Sequence, residues 1–238
     1  MRVAVIGSGG GIGSALVRVL AKSDDIDCIH ACSRDARRTP YANVHHWELE
    51  ITNEEHVAEV FREMSAEGPL DRVIVATGIL HDGNRLQPEK SLQQLSAESL
   101  WRLFTINCIG PSLVAKHAIP CLNREGNPVF AMLSARVGSI SDNALGGWYS
   151  YRMSKAALNM FVKTTAIEVA RTLPSAAVVG LHPGTVKTAM SEPFQENIPK
   201  NKLFTPVFAA RKLLEVIAGL TPDNTGRIYA WDGKEIQP

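Results

Sequence analysis

The sequence predicts an α/β fold, a single domain over residues 1–238 built as a doubly wound parallel sheet with helices on both faces. Three observations predict it. Short β-branched apolar runs alternate with segments of helical apolar spacing along the whole chain, with no repeat and no low-complexity linker between them. The first apolar run ends in a glycine-rich turn that opens directly into the first helical segment. The unusual loops all stand at the carboxyl end of a strand, the edge at which such sheets bind ligands.

The first strand is Arg2 to Ile6, followed by Gly7-Ser8-Gly9-Gly10-Gly11-Ile12-Gly13 and then by Ala15, Leu16, Val19 and Leu20 at helical spacing. Glycines in such a turn let the backbone approach a pyrophosphate, whose charge is met by free N–H groups and the helix dipole. A second strand, Asp27 to Cys32, ends in Ser33-Arg34, about twenty residues past the last glycine, where these folds meet the adenosine ribose. An acidic residue there would repel a 2′-phosphate. Ser33 and Arg34 stand there instead, with Arg37 and Arg38 close behind, and guanidinium groups suit phosphate oxygens, so NADP is favoured over NAD.

Val44 to Ile51 alternates as a third strand, and Thr52 or Asn53 caps a helix carrying Val57, Val60, Phe61 and Met64. The neighbours His45 and His46 point to opposite faces of that strand and make no chelating pair. Leu70 to Ala76 is a fourth strand closing on Thr77-Gly78, beside the expected cofactor. His81 to Leu95 reads as a polar surface loop. Leu100 to Leu122 reads as one long helix kinked at Pro111, in which Asn107 needs a partner such as a freed carbonyl or a water. Pro128 to Leu133 is a fifth strand, ending in Ser134-Ala135-Arg136-Val137-Gly138-Ser139.

The next helix runs from Tyr149 to about Thr172 and sets Tyr151 and Lys155 four residues apart, on one face. A neighbouring ammonium favours the phenolate and moves a phenol toward the working range, which makes the pair a candidate acid/base device. Ala176 to Leu181 is a sixth strand closing on His182-Pro183-Gly184-Thr185-Val186-Lys187-Thr188. Thr205-Pro206 opens a last amphipathic helix, and Gly226 to Trp231 is the closing strand.

Composition limits the function classes. At 45% hydrophobic and 21% charged residues the chain can bury a substantial core, and its net charge of +1 includes no basic block suited to nucleic acid or a membrane surface. A small molecule is the expected partner. No stretch approaches the ~18 apolar residues of a membrane span. Val3 to Ile6 begins right after Met1-Arg2, which leaves no room for a signal peptide, so a cytoplasmic protein is expected. Cys28, Cys32, Cys108 and Cys121 show no metal-ligand spacing and read as reduced small hydrophobes, and no metal is predicted.

With Gly7-x-x-x-Gly11-Ile12-Gly13, Asn107, a serine-bearing end to strand five, Tyr151-x-x-x-Lys155 and Pro183-Gly184-x-Val186-x-Thr188 in that order, the chain resembles the short-chain dehydrogenase/reductase family over essentially its whole length. The run Ser134 to Met160, with Gly146-Gly147-Trp148-Tyr149, looks most like its C-factor-like and carbonyl-reductase-like members. The resemblance implies a Rossmann-like fold and an oxidoreductase acting on a small carbonyl or alcohol. Tyr151 would exchange the substrate's hydroxyl proton. Lys155 would hold the nicotinamide ribose and lower the tyrosine pKa, and Asn107 would anchor a water. Gly184, Val186 and Thr188 would cover the carboxamide end of the cofactor, while Glu50 and Ile51 would lie beside the adenine. Homodimers or homotetramers are implied by the same analogy.

The sequence departs from the family at three places. Ile6 stands where a threonine is usual, and Val75-Ala76-Thr77-Gly78 replaces Asn-Asn-Ala-Gly. The family's catalytic serine falls on Ala135, with Ser134 the first candidate to replace it and Ser139 the second. That departure leaves open a cofactor-binding signalling protein of the C-factor type, with weak or no turnover.

Overall fold

The computed structural model describes residues 1–35, 39–83, 85–196 and 198–238, and the backbone alone of Lys200. Arg37 and Arg38 therefore lie outside the described residues. Among the described residues, seven parallel strands form one sheet in the order β3-β2-β1-β4-β5-β6-β9. These are β1 (Arg2–Ile6), β2 (Cys28–Ser33), β3 (Val44–Glu48), β4 (Arg72–Val75), β5 (Val129–Leu133), β6 (Ala177–His182) and β9 (Ile228–Ala230). The first crossing runs outward from β1 to β3, and the second half starts from β4 on the other side of β1, so the order reverses between β1 and β4. That reversal opens a crevice at the strands' carboxyl ends.

Parallel strands need a covering layer on each face, and Val3, Ala4, Val5 and Ile6 of β1 are all buried, as in a strand packed on both sides. Helices α1 (Gly11–Leu20) and α6 (Pro206–Ala218) cover one face through Leu16, Val17, Leu213 and Ile217. On the other face lie α2 (Glu54–Ala66), α4 (Gly110–Ala118) and α5 (Tyr149–Thr172), which bury Phe61, Met64, Val114, Leu158 and Val162 against Phe130 and Met132. Asn53 caps α2 by accepting from the His56 N–H at 3.1 Å, and Thr205 caps α6 by accepting from Phe208 at 3.2 Å.

Two expectations change, and one strand pair is new. The long helix expected over 100–122 is α3 (Ala97–Phe104), a π-helical turn (Thr105–Ile109) and then α4. The irregularity precedes Pro111, which sits comfortably in the first turn of α4 where a missing N–H costs little. The segment from His81 to Leu95 is more than a surface loop, because Leu86 and Glu89 are buried within it. Finally, a two-residue parallel pair, β7 (Thr185–Val186) with β8 (Leu203–Phe204), ties the loop after β6 to the segment before α6.

At the amino ends of the strands, Cys28, His30, His45 and Glu67 come together. The cluster already contains a cation. Arg2 Nη2 lies 3.1 Å from His30 Nε2 and 3.2 Å from the Glu67 carboxylate. Trp47 Nε1 donates to His30 Nδ1 at 3.0 Å, while Arg2 Nη2 occupies the space beside Nε2. Burial, reinforced by Arg2, moves the His30 pKa down to about 4.

Candidate active site

The glycine turn packs into the crevice between β1 and β4. Gly7 has φ +88°, and a Cβ on it would stand 2.9 Å from the Thr77 methyl carbon. Its N–H and that of Ser8 both donate to the Cys32 carbonyl, at 2.8 and 2.9 Å, which fastens the turn to β2. A Cβ on Gly11 would stand 2.6 Å from Thr188 Cγ2, so only glycine lets the start of α1 meet the loop after β6. No side chain caps α1, and its first-turn N–H groups face the crevice end of the sheet as an anion site requires.

A cleft of about 330 Å³ runs from this turn along the carboxyl ends of β2, β3 and β4. Gly7, Ser33, Arg34, Glu50, Ile51, Ala76, Thr77 and Gly78 all line it, joined by Arg102 of α3, which the sequence reading missed. Thr77 Oγ1 is buried without a partner. The Glu50 carboxyl is partly desolvated, yet hydrogen bonds from Thr52 and the charges of Arg34 and Arg102 hold it below the usual carboxylate range. Glycine cradle, orphaned hydroxyl and two guanidinium groups beside one cleft fit a nicotinamide dinucleotide.

Tyr151 and Lys155 stand on one face of α5, both buried. Lys155 Nζ donates to the Leu133 carbonyl at 2.8 Å and lies 6.0 Å from the centre of the Tyr151 ring. Desolvation dominates both groups, raising the phenol to about 12 and lowering the ammonium to about 8. The expected lowering of the tyrosine pKa by its neighbour is thus outweighed by burial in this arrangement.

Asn107 sits on the π-helical turn and is fully buried. Its Oδ1 accepts from the Ile79 N–H at 2.8 Å, and its Nδ2 donates to the Ile79 carbonyl at 2.9 Å and to Ser154 Oγ at 3.1 Å. The side chain is committed to the chain itself.

Ser134 does not face Tyr151. Its Oγ donates to Asn159 Oδ1 at 2.5 Å, one turn of α5 beyond Lys155, because alternation along the strand end turns adjacent side chains apart. Ala135 packs with Tyr151, Leu80, Leu86 and Leu103 in a small apolar cluster. Ser139 Oγ accepts from the Asp142 N–H at 3.1 Å and is held in its own loop.

The roof over Tyr151 is aromatic. Trp148 meets Tyr151 edge-on at 6.2 Å between ring centres and Phe194 at 5.2 Å, and His81 meets Phe194 at 5.8 Å while its Nε2 lies 3.1 Å from the Met190 carbonyl. Three loops distant in sequence thus converge on one phenol. Pro183 and Gly184 lead from β6 into β7, which holds Val186, and Thr188 follows, its N–H donating to Ser191 Oγ at 3.2 Å.

A doubly wound sheet with a glycine turn at its reversal and a buried Tyr-x-x-x-Lys helix defines a dinucleotide-linked oxidoreductase class, and residues 1–199 match the short chain dehydrogenase family. The chain belongs to that family. It is 31% identical over 237 residues to the 1-hydroxy-2-glutathionyl-2-methyl-3-butene dehydrogenase of Rhodococcus sp. (strain AD45), covering 99% of this chain and 98% of that one. It is 38% identical over 136 residues to the C-signal of Myxococcus xanthus, covering 57% of this chain and 76% of that one. Among solved structures, NADPH-bound carbonyl reductase from chicken fatty liver superposes with a TM-score of 0.84 at 22% identity, covering 100% of this chain and 98% of the other. The carbonyl reductase Sniffer of D. melanogaster gives 0.87 at 20% identity, with 100% and 99% covered, and both likenesses concern the fold. Among the described residues no helix is long and apolar enough to cross a membrane.

Proposed function

We propose that the chain, as a single nucleotide-binding domain, is an NADP-dependent oxidoreductase that interconverts a carbonyl and an alcohol, with Tyr151 as the proton donor and acceptor. The observation that carries this reading is the burial of Tyr151 and Lys155 together beneath an apolar and aromatic roof, beside the cleft that begins at the glycine turn. Bound NADPH or NADP would supply or accept a hydride at the substrate carbon. The chain's own residues manage the proton. In reduction Tyr151 Oη gives its proton to the carbonyl oxygen as the C–H bond forms, leaving a phenolate that Lys155 stabilises; oxidation reverses both transfers. Lys155 also holds the ribose, and Asn107 fixes the Ile79 backbone and Ser154 around it. Ser33 and Arg34 support the 2′-phosphate, and the NADPH named with the chicken carbonyl reductase supports the same preference.

Ala135 leaves the developing alkoxide with one hydroxyl fewer than the family pattern, which favours a slow enzyme. The test is consumption of NADPH and of NADH by the purified chain over a panel of aldehydes, ketones and diketones, alongside thermal shifts with each cofactor. Turnover with NADPH supports the reading. Stabilisation by NADPH with no turnover across the panel would favour the cofactor-binding signalling reading, to which the C-signal likeness and Ala135 both point.

A further inference from the structure

Glu89 is 2% exposed and lies in the 81–95 connection, sixty-one residues before Ser150 in sequence. Both carboxylate oxygens turn to Ser150, Oε2 accepting from its N–H at 3.2 Å and Oε1 from its hydroxyl. The Glu89 carbonyl accepts from the Trp148 N–H at 2.5 Å. This one residue therefore grips the two residues on either side of Tyr149, at the very start of the helix that carries Tyr151.

The helix needs such a grip. Trp148 is at its N-cap position in a left-handed conformation, φ 52°, and gives α5 no side-chain cap. Gly146 and Gly147 before it are also left-handed, both at φ +66°, and a Cβ on Gly147 would stand 3.4 Å from the Glu89 carbonyl oxygen. On the far side of the turn, Arg152 donates to the carbonyls of Gly147, Val137 and Gly146 at 3.0, 3.3 and 3.2 Å. A non-glycine residue with positive φ persists where its surroundings over-determine it. Here they do so next to the reacting phenol, since the Trp148 ring that this turn aims stands against Tyr151.

We propose that Glu89 is a positioning residue for the Tyr151 reaction, a detached cap that fixes the first turn of α5 and the Trp148 ring above it. The proposal rests on the reading of Tyr151 as the acid/base group. A carboxylate serves because it accepts twice and because its charge is favourable at a helix N-terminus.

The experiment compares the full chain with its Glu89→Ala, Glu89→Gln, Ser150→Ala and Tyr151→Phe variants. Two quantities are read: amide exchange over residues 148–152 and the kinetics of benzil reduction with NADPH. Misplacement by ~1 Å costs on the order of 100-fold, so Glu89→Ala is expected to lower kcat about 10- to 100-fold, with KM for NADPH changing less than about twofold. Its Ser150 and Tyr151 amides should exchange faster. Glu89→Gln, which can still accept from the Ser150 N–H, should recover most of the rate and of the amide protection. Ser150→Ala should fall between the parent and Glu89→Ala. Unchanged amide exchange in Glu89→Ala, or amides in Glu89→Gln that exchange as fast as those in Glu89→Ala, overturns the proposal even where benzil is not turned over. Parent-level turnover by Tyr151→Phe instead overturns the reading beneath it.

Discussion

Tyr151 and Lys155 are buried side by side, and burial drives their titrations apart, the phenol up to about 12 and the ammonium down to about 8. For Lys155 the folded value lies below the unfolded 10.5, so between pH 8 and 10.5 the unfolded chain binds more protons and the residue's contribution to stability rises with pH. Below that window the folded chain bears the full desolvation of a buried charge. Lys155→Met is therefore expected to be the more stable chain at pH 7 without cofactor, with the gap narrowing as pH rises from 8 to 10.5; denaturant titrations at several pH values measure this. Position 135 makes a second test. Loss of one oxyanion donor costs about 2.7–4 kcal/mol in acyl-transfer sites, so Ala135→Ser should raise kcat while Ser134→Ala, whose hydroxyl is spent on Asn159, should change it little. Arg34→Asp should reverse the NADP preference, read as the ratio of the two cofactor affinities.

At the scale of elements, Asn107 explains why the helix over 100–122 is interrupted where it is. Its side chain must reach both backbone groups of Ile79, after β4, and the π-helical turn swings it there. Sequence periodicity displays apolar spacing but not the register slip of a single turn, so Pro111 drew the expected kink to the wrong side. Strands β1 and β4 were legible because each is a β-branched run closing on a turn that bears glycine or threonine. The pair β7–β8 was not, since each strand holds two residues and its partner lies beyond an intervening loop. Asn107→Ala should destabilise the fold by about 1–3 kcal/mol, the cost of stranding a buried N–H or carbonyl. Equilibrium denaturation measures it, and a change within 0.5 kcal/mol, the usual range for surface substitutions, would show that Ile79 finds other partners.

Across the molecule, the cleft's lining could be read from the sequence where a residue stands at a strand end, as Ser33, Arg34, Glu50, Ile51 and Thr77 do. Residues brought in by tertiary packing could not. Arg102 arrives from α3, Glu89 from a connection that reads as polar surface, and Phe194 from the loop after β7. The serine question illustrates the limit, because neighbouring residues at a strand end face opposite sides and the sequence does not state where alternation stops. Those same converging loops seal Tyr151 from solvent, so a single hydroxyl is asked to carry the proton in a site that provides few substitutes. The most direct measurement is the rate of carbonyl reduction at saturating NADPH by the unmodified chain and by Tyr151→Phe, with NADPH affinity measured in parallel. The account predicts a loss of about two to four orders of magnitude in kcat with cofactor affinity nearly unchanged. A Tyr151→Phe chain that reduces the same carbonyl at the parent rate would contradict it.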